Sequence, residues 1–275
     1  MIPDFAAPLA AAFAEDLGEA GDVTSAATVP EGARLKAVLA ARDSIVLAGL
    51  PIAEAAFRHL DPAASFTPYA ADGDRLASGA ILAEVSGDAR ALLAAERTAL
   101  NFVQRLSGIA TLTRSYVDMI AGTGATLLDT RKTTPGWRAL EKYAVRMGGG
   151  QNHRMGLFDA VLIKDNHIAV AGGVTEAVAR ARRTWAGPIE VEIDGIDQIE
   201  PALAAGADRL LLDNMAPDTL RQAVALIAGR VSTEASGSVR LETIRAIAET
   251  GVDFISAGRI TQSAPAADIG LDFVS

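Results

Sequence analysis

Residues 189–214 read IEVEIDGIDQIEPALAAGADRLLLDN, and this stretch decides the class of fold. A short apolar run, IEVEI, leads into a helix-compatible segment near 196–205 and then into a second apolar run, DRLLLDN. Two such runs joined by a helical segment make a βαβ unit, with parallel strands buried on both faces. The same grammar extends in both directions. Upstream lie ATLLDT (125–130) and AVLIKD (160–165), and downstream lie VSTEAS (231–236) and DFISAG (253–258). Helical segments near 137–147, 174–185, 217–228 and 240–249 alternate with them. A complete barrel of this kind takes eight strands. Six runs predict an incomplete parallel α/β barrel or a doubly wound sheet.

Before residue 122 the pattern is different. ARLKAVLAA (33–41), SIVLAG (44–49) and AILAEVSG (80–87) are strand-like and are separated by turn signals such as Asp72-Gly73-Asp74 and Ser86-Gly87. With one helix near 51–60 they predict a small α+β domain. A long helical stretch starts near Ala89, and Ser107-Gly108 is expected to break it near its middle.

Bulk properties narrow the class. Half of the 275 residues are apolar and only 5% are aromatic, so Ala, Leu, Val and Ile fill the core. The absence of cysteine excludes disulfides, thiolate metal sites and a cysteine nucleophile, and fits a reducing compartment. A formal net charge of −9 argues against nucleic-acid binding. The opening MIPDFAAPLAAAFAEDLG carries Asp4, Glu15 and Asp16 and lacks a basic start, so it reads as an amphipathic helix and not a signal peptide. With no uninterrupted apolar stretch of about 18 residues there is no membrane span. The expectation is a soluble cytoplasmic protein.

Against this acidic background, Arg131, Lys132, Arg138, Lys142, Arg146 and Arg154 crowd into a segment holding the single acid Glu141. A run of like charge is usually a solvated face. This one is broken by Gly148-Gly149-Gly150 and bracketed by two apolar runs, which points to ordered loops around a small, multiply anionic ligand. The ends of the six apolar runs agree. They finish in Asp129 with Arg131 and Lys132, Lys164 with Asp165, Glu192, Asp213 with Asn214, Glu234 with Ser236, and Ser256 before Gly258. The C-terminal rim of an α/β barrel is where catalytic groups collect, because strands hold them rigidly while loops give access.

The residues ERTALNFVQRLSGIATLTRSYV (96–117), LLDTRKTTPGWRALEKYAVRMGGGQNHRMGLFDAVLIKDNHI (127–168), VEID, LLLDNM, EASG and GVDFISAG together resemble the quinolinate phosphoribosyltransferase family, from about residue 16 to the C-terminus. The resemblance implies an N-terminal α/β sandwich domain over 1–108, an α/β barrel over 109–265 and a tail, 266–275, returning to the first domain. It implies transfer of a phosphoribosyl group from phosphoribosyl pyrophosphate to quinolinate, releasing pyrophosphate and carbon dioxide and leaving nicotinate mononucleotide. It also implies Mg²⁺ and a homodimer or larger homo-oligomer in which Arg97 crosses the interface.

Residue by residue, the resemblance assigns Arg131 and Arg154 to the quinolinate carboxylates, His153 to the lining of the same pocket, and Arg97 to the substrate site of the neighbouring subunit. A guanidinium pairs with a carboxylate through two parallel hydrogen bonds where a lysine acts as a point charge. Lys132 and Lys164, two of four lysines in the chain, would balance phosphate, pyrophosphate or carboxylate oxygens. Glu192 and Asp213 would sit near the ribose and its Mg²⁺, and Ser236, Gly237 and Gly258 would hold the 5′-phosphate through backbone amides. Three features depart from the family pattern. Gln262 stands where a histidine is common and Arg259 where a small residue is, Ser238 stands where glycine is more usual, and EAGDVTS is one residue longer.

Other readings remain open to the sequence. A lysine in an apolar barrel strand, as Lys164 is, can form a Schiff base in an aldolase-like enzyme. A relative associated with molybdenum transport shares the architecture, a nicotinate-specific transferase would need fewer arginines, and an anion-binding regulator would bind without turnover.

Overall fold

A computed structural model describes residues 1–274, and the chain divides into two compact units. One comprises Met1–Arg114, Thr134–Gly149 and the C-terminal segment from Ser263; the other comprises Ser115–Thr133 and Gly150–Gln262. Among the described residues no helix is long and apolar enough to cross a membrane.

The first unit opens with helices α1 (Ala6–Leu17) and α2 (Val23–Thr28), the latter capped by the Asp22 carboxylate accepting from the Ser25 amide at 2.9 Å. Strands β1 (Arg34–Ala41), β2 (Ile45–Val46), β3 (Ser65–Pro68), β4 (Arg75–Leu76) and β5 (Ile81–Asp88) follow, with helix α3 (Leu50–Leu60) between β2 and β3. The sequence anticipates β1, β2, β5 and α3; β3 and β4, short and mostly exposed, carry too little apolar pattern to be seen. The main sheet is antiparallel, and its outer strand is β12 (Ile269–Phe273), paired along β1 from Ala41–Ile269 to Ala37–Phe273.

Helix α4 (Ala89–Met119) runs unbroken through Ser107-Gly108, so the expected break does not occur. Two contacts explain it. The Ser107 hydroxyl accepts from the Ala48 amide at 3.0 Å and donates to the Ala48 carbonyl at 3.2 Å, in a fully buried position. A Cβ on Gly108 would lie 1.9 Å from the Pro265 carbonyl oxygen, so glycine here serves close packing and not a turn. Helix α5 (Arg138–Met147) also belongs to this unit. The Arg105 guanidinium holds the buried Glu141 carboxylate at 2.7 Å, Trp137 stacks on Phe102 at 4.5 Å, and Tyr143 donates to Asp72 at 2.7 Å. The basic run is therefore divided: Arg138, Lys142 and Arg146 lie on α5, and Lys142 is fully buried.

The second unit carries the parallel sheet that the sequence predicts. Its strands are β6 (Thr126–Leu128), β7 (Val161–Ile163), β8 (Ile189–Ile193), β9 (Arg209–Asp213), β10 (Ser232–Ser236) and β11 (Phe254–Ser256), in the order β6-β11-β10-β9-β8-β7. Every pairing is parallel, and β6 and β7 are left as the two ends of the row, as in an incomplete barrel. Helices α6 (Asp165–Ala171), α7 (Val174–Thr184), α8 (Ile199–Ala204), α9 (Pro217–Ile227), α10 (Ile244–Ala248) and α11 (Arg259–Gln262) connect them. Helix α9 buries Leu220, Ala223 and Ile227, a stripe at the three-to-four spacing of one helix face. Helix α6 was not anticipated, because its seven residues bury nothing and leave no apolar period to read.

Candidate active site

The polar strand ends converge. A cavity of about 540 Å³ in the second unit is lined by residues at or just beyond the C-terminal ends of all six strands. Asp129, Arg131 and Lys132 follow β6; Lys164 and Asp165 follow β7; Glu192 comes from β8, Asp213 and Asn214 from β9, Glu234 and Ser236 from β10, and Ser256 from β11. His153, Arg154 and Gly237 also line it. Gly258 lines a neighbouring cavity of about 270 Å³. Of the residues that the resemblance assigns to the site, Arg97 alone lies in the first unit, exposed on α4.

Local hydrogen bonds explain how each group is held. Residues 151–154 run alongside β6, with the Gln151 amide donating to Leu127 and the Asp129 amide donating to Gln151. The buried Asp129 carboxylate then accepts from the His153 amide at 2.9 Å and from the Asn152 side chain at 2.6 Å, which fixes the direction of His153 and Arg154. Arg154 donates to the Ala160 carbonyl at 3.0 Å. Burial, and then the charge of Arg131, hold the Arg154 pKa below its ordinary value. Two guanidiniums crowded at one wall repel each other, and a dianion between them would relieve that repulsion.

Opposite charges meet elsewhere in the lining of the cavity. The Lys164 ammonium donates to Glu192, whose side chain is buried, and the Asp165 amide approaches the other Glu192 oxygen at 3.4 Å. Asp194, just beyond β8, has its carboxyl held above the usual range, first by burial and then by the charges of Glu192, Asp213 and Asp165. Asp165, Glu192, Asp194 and Asp213 thus act on one another electrostatically with Lys164 among them, whereas among the described residues the acids and histidine close enough together to share an ion are His153, Glu190 and Glu234. Gly237 has φ +93°, and a Cβ there would meet the Asn214 side-chain oxygen at 2.1 Å, so the β10 turn requires glycine. At Gly258 a Cβ would lie 2.8 Å from Cδ of Lys132, so this glycine makes room for the lysine stem.

The structure adds Glu190 and Arg209, which the sequence reading did not select, and a partnership for His153 and Glu234. Glu190 on β8 and Glu234 on β10 are buried, and both face His153, with Nε2 at 3.0 Å from Glu190 and 3.5 Å from Glu234. Arg209 reaches the same Glu234 oxygen at 3.5 Å and lies over the Phe254 ring. The Arg154 amide points at Nδ1 of His153 at 2.7 Å, which favours a neutral ring with its proton on Nε2. Burial also opposes the charge, yet Glu190 and Glu234 outweigh both and raise the His153 pKa to about 9. Glu190 in turn is raised, by burial and by the charge of Glu234. The signal was present in the run IEVEI, where Glu190 and Glu192 share one strand face by their spacing of two.

Comparison with known proteins agrees along the whole length. Residues 22–107 match the quinolinate phosphoribosyl transferase N-terminal domain and residues 109–272 its C-terminal domain. The chain is 46% identical to the probable nicotinate-nucleotide pyrophosphorylase (carboxylating) of Bacillus subtilis, over 94% of this chain and 90% of that one. It is 43% identical to the chloroplastic nicotinate-nucleotide pyrophosphorylase (carboxylating) of Arabidopsis thaliana, over 98% of this chain and 82% of that one. A solved nicotinate-nucleotide pyrophosphorylase from Ehrlichia chaffeensis superposes with a TM-score of 0.96 at 40% identity, covering both chains fully. The alternative of a molybdenum-transport relative finds no support among these matches. With both domain matches, the shared fold and the charged barrel mouth in hand, the chain belongs to the quinolinate phosphoribosyltransferase family.

Proposed function

We propose that this chain transfers the phosphoribosyl group of phosphoribosyl pyrophosphate to quinolinate and decarboxylates the product to nicotinate mononucleotide, as a step of NAD biosynthesis. The observation that carries the reading is one cavity lined both by the mutually repelling pair Arg131 and Arg154 and by the carboxylates Asp165, Glu192 and Asp213. A planar dicarboxylate accepts forked hydrogen bonds from the arginines. It leaves its ring nitrogen directed at the sugar.

Arg131 and Arg154 orient quinolinate, and His153 adds a donor beside them. Lys132 and Lys164 balance the oxygens of pyrophosphate and of the substrate carboxylates. Glu192 and Asp213 would hold Mg²⁺ together with pyrophosphate oxygens, and the ion would supply charge neutralisation at the leaving group. The pyridine nitrogen lone pair forms the new bond to C1 of the ribose while the C1–O bond breaks and its electrons leave with pyrophosphate. Glu192 and Asp213 face the positive charge that develops on the sugar. The quaternised ring then accepts the electron pair of the adjacent carbon–carboxylate bond, carbon dioxide departs, and the ring carbon takes a proton from solvent. Orientation and fixed charge do the work, with no covalent enzyme intermediate. A Schiff-base role fits Lys164 poorly, since it is half exposed and ion-paired with Glu192.

The reading includes a cytoplasmic homodimer, or a larger assembly built from it, in which Arg97 of one protomer completes the quinolinate pocket of its partner. The test is direct: purified protein incubated with quinolinate, phosphoribosyl pyrophosphate and Mg²⁺ should release nicotinate mononucleotide and carbon dioxide in equal amounts, with nicotinate in place of quinolinate giving none. Quinolinate binding without either product would refute the activity.

A further inference from the structure

Glu190 on β8 is buried and is not among the residues that line the larger cavity. It still touches that lining through His153, whose Nε2 lies 3.0 Å from the Glu190 carboxylate. The His153 ring is held at both nitrogens. Nε2 faces Glu190 and, at 3.5 Å, Glu234, while Nδ1 accepts from the Arg154 amide at 2.7 Å. The side chain is 11% exposed, so packing leaves the ring little room to turn. With the Arg154 amide at Nδ1, a ring proton sits on Nε2, the atom that faces the acids. An ion shared by these three groups would need that same atom, so a proton and not a cation closes the cluster.

Arg154 is thereby fixed from both sides along the chain. Ahead of it, the His153 amide donates to Asp129 and the His153 ring meets the Arg154 amide. Beyond it, the Asp159 carboxylate accepts from the Met155 and Gly156 amides at 2.7 and 2.9 Å, and the Arg154 guanidinium donates to the Ala160 carbonyl. The acids are supported in turn. The sheet order β10-β9-β8 puts Arg209 between their strands, where it reaches Glu234 at 3.5 Å and the Ser232 hydroxyl at 3.3 Å. One oxygen of each acid is left over: Oε1 of Glu190 and Oε1 of Glu234 are buried without a hydrogen bond. An unmet buried acceptor costs stability, so these carboxylates are poor candidates for a purely structural role.

We propose that Glu190, with Glu234 beside it, is a positioning residue for the dicarboxylate substrate: it fixes the His153 ring and, through that ring, the backbone that presents Arg154 to the cavity. A forked guanidinium–carboxylate pair needs both partners in one plane, so a shift of the arginine loses much of its worth. The assignment rests on the reading of Arg154 as a quinolinate ligand given above. It makes Glu190 a determinant of quinolinate affinity and leaves the sugar phosphate and pyrophosphate untouched.

The test uses the whole protein, with quinolinate as the calorimetric probe and with steady-state kinetics. Glu190→Met keeps much of the side-chain volume and removes the acceptor, while Glu234 still faces His153. It is expected to weaken quinolinate binding, and to raise the KM for quinolinate, by about 10- to 100-fold, the scale of a displaced binding group. The KM for phosphoribosyl pyrophosphate should move by no more than about twofold, because its contacts lie elsewhere. Glu190→Gln keeps an acceptor in the same place and should restore most of the affinity. In a His153→Ala background, Glu190→Met should weaken quinolinate no further, because the two side chains act as one unit. Glu190→Ala is read in the same way, and a preserved urea midpoint identifies which of the two variants is folded. Wild-type quinolinate affinity in a folded variant overturns the proposal. An equal rise in both KM values, or additive losses in the double variant, does so as well. Quinolinate binding needs no turnover. An inactive wild type whose quinolinate affinity still depends on Glu190 would defeat the transfer reaction and leave the positioning role standing.

Discussion

At the scale of the residue, the least expected feature is a histidine set against two buried acids. His153, Glu190 and Glu234 share one proton-rich contact in a position where each charge would be costly alone. The linkage has a definite sign. The His153 pKa rises from 6.5 to about 9 on folding, so the folded state binds the proton more tightly than the unfolded chain. The stabilisation is fully present below pH 6.5 and is lost as the pH climbs through about 9. Urea unfolding of the wild type between pH 6 and pH 9.5 should therefore show a loss on the order of 1–3 kcal/mol that His153→Asn does not share. Parallel curves for the two proteins would mean that His153 carries no such linkage. The residue types of this cluster were legible in the sequence, but their partnership was not. Glu190 belongs to β8, Glu234 to β10 and His153 to a loop, and only the sheet order brings them within hydrogen-bond reach.

At the scale of the element, periodicity identified the six barrel strands and most of the helices between them, because burial on two faces leaves an apolar run that needs no partner to be recognised. It misread α4. Glycine in a helix interior costs about 1 kcal/mol relative to alanine, and that local preference suggested a break at Ser107-Gly108. Tertiary contact overrides it, since only a residue without Cβ lets α4 approach the Pro265 carbonyl. Gly108→Ala is accordingly expected to destabilise the protein by about 1–3 kcal/mol, against the helix-propensity trend. The midpoint of a denaturant titration would show it, and a midpoint that rises would mean that the Pro265 segment yields at no cost. The same logic accounts for β3, β4 and α6, whose short or exposed residues carry no period.

At the scale of the whole molecule, the cavity of the second unit and the arginine of the first pose a question that mixing protomers can answer. The proposed assembly has Arg97 acting on the partner's site. Arg97→Ala and Lys164→Ala should each be inactive as homodimers. A purified heterodimer of the two variants would then contain one intact site and one doubly impaired site, and a symmetric dimer has two equivalent sites, so about half of the wild-type rate should return. No recovery would place Arg97 in its own protomer's site, and an active Arg97→Ala homodimer would remove it from the reaction.

The sequence by itself determined the class of the fold, the six parallel strands, the charged residues at their C-terminal ends and the family resemblance, because each is written in short segments whose pattern does not depend on distant partners. Only the tertiary structure decided which of those charges meet. It divided the basic run, sending Arg131, Lys132 and Arg154 to the cavity wall while Arg138, Lys142 and Arg146 joined α5 in the first unit. It also joined Arg240 and Arg259, separated by a helix and a strand, into one acid-free cavity. Charge density along a chain is a local property, whereas the electrostatic field inside a cavity depends on distances that sheet order, register and packing set.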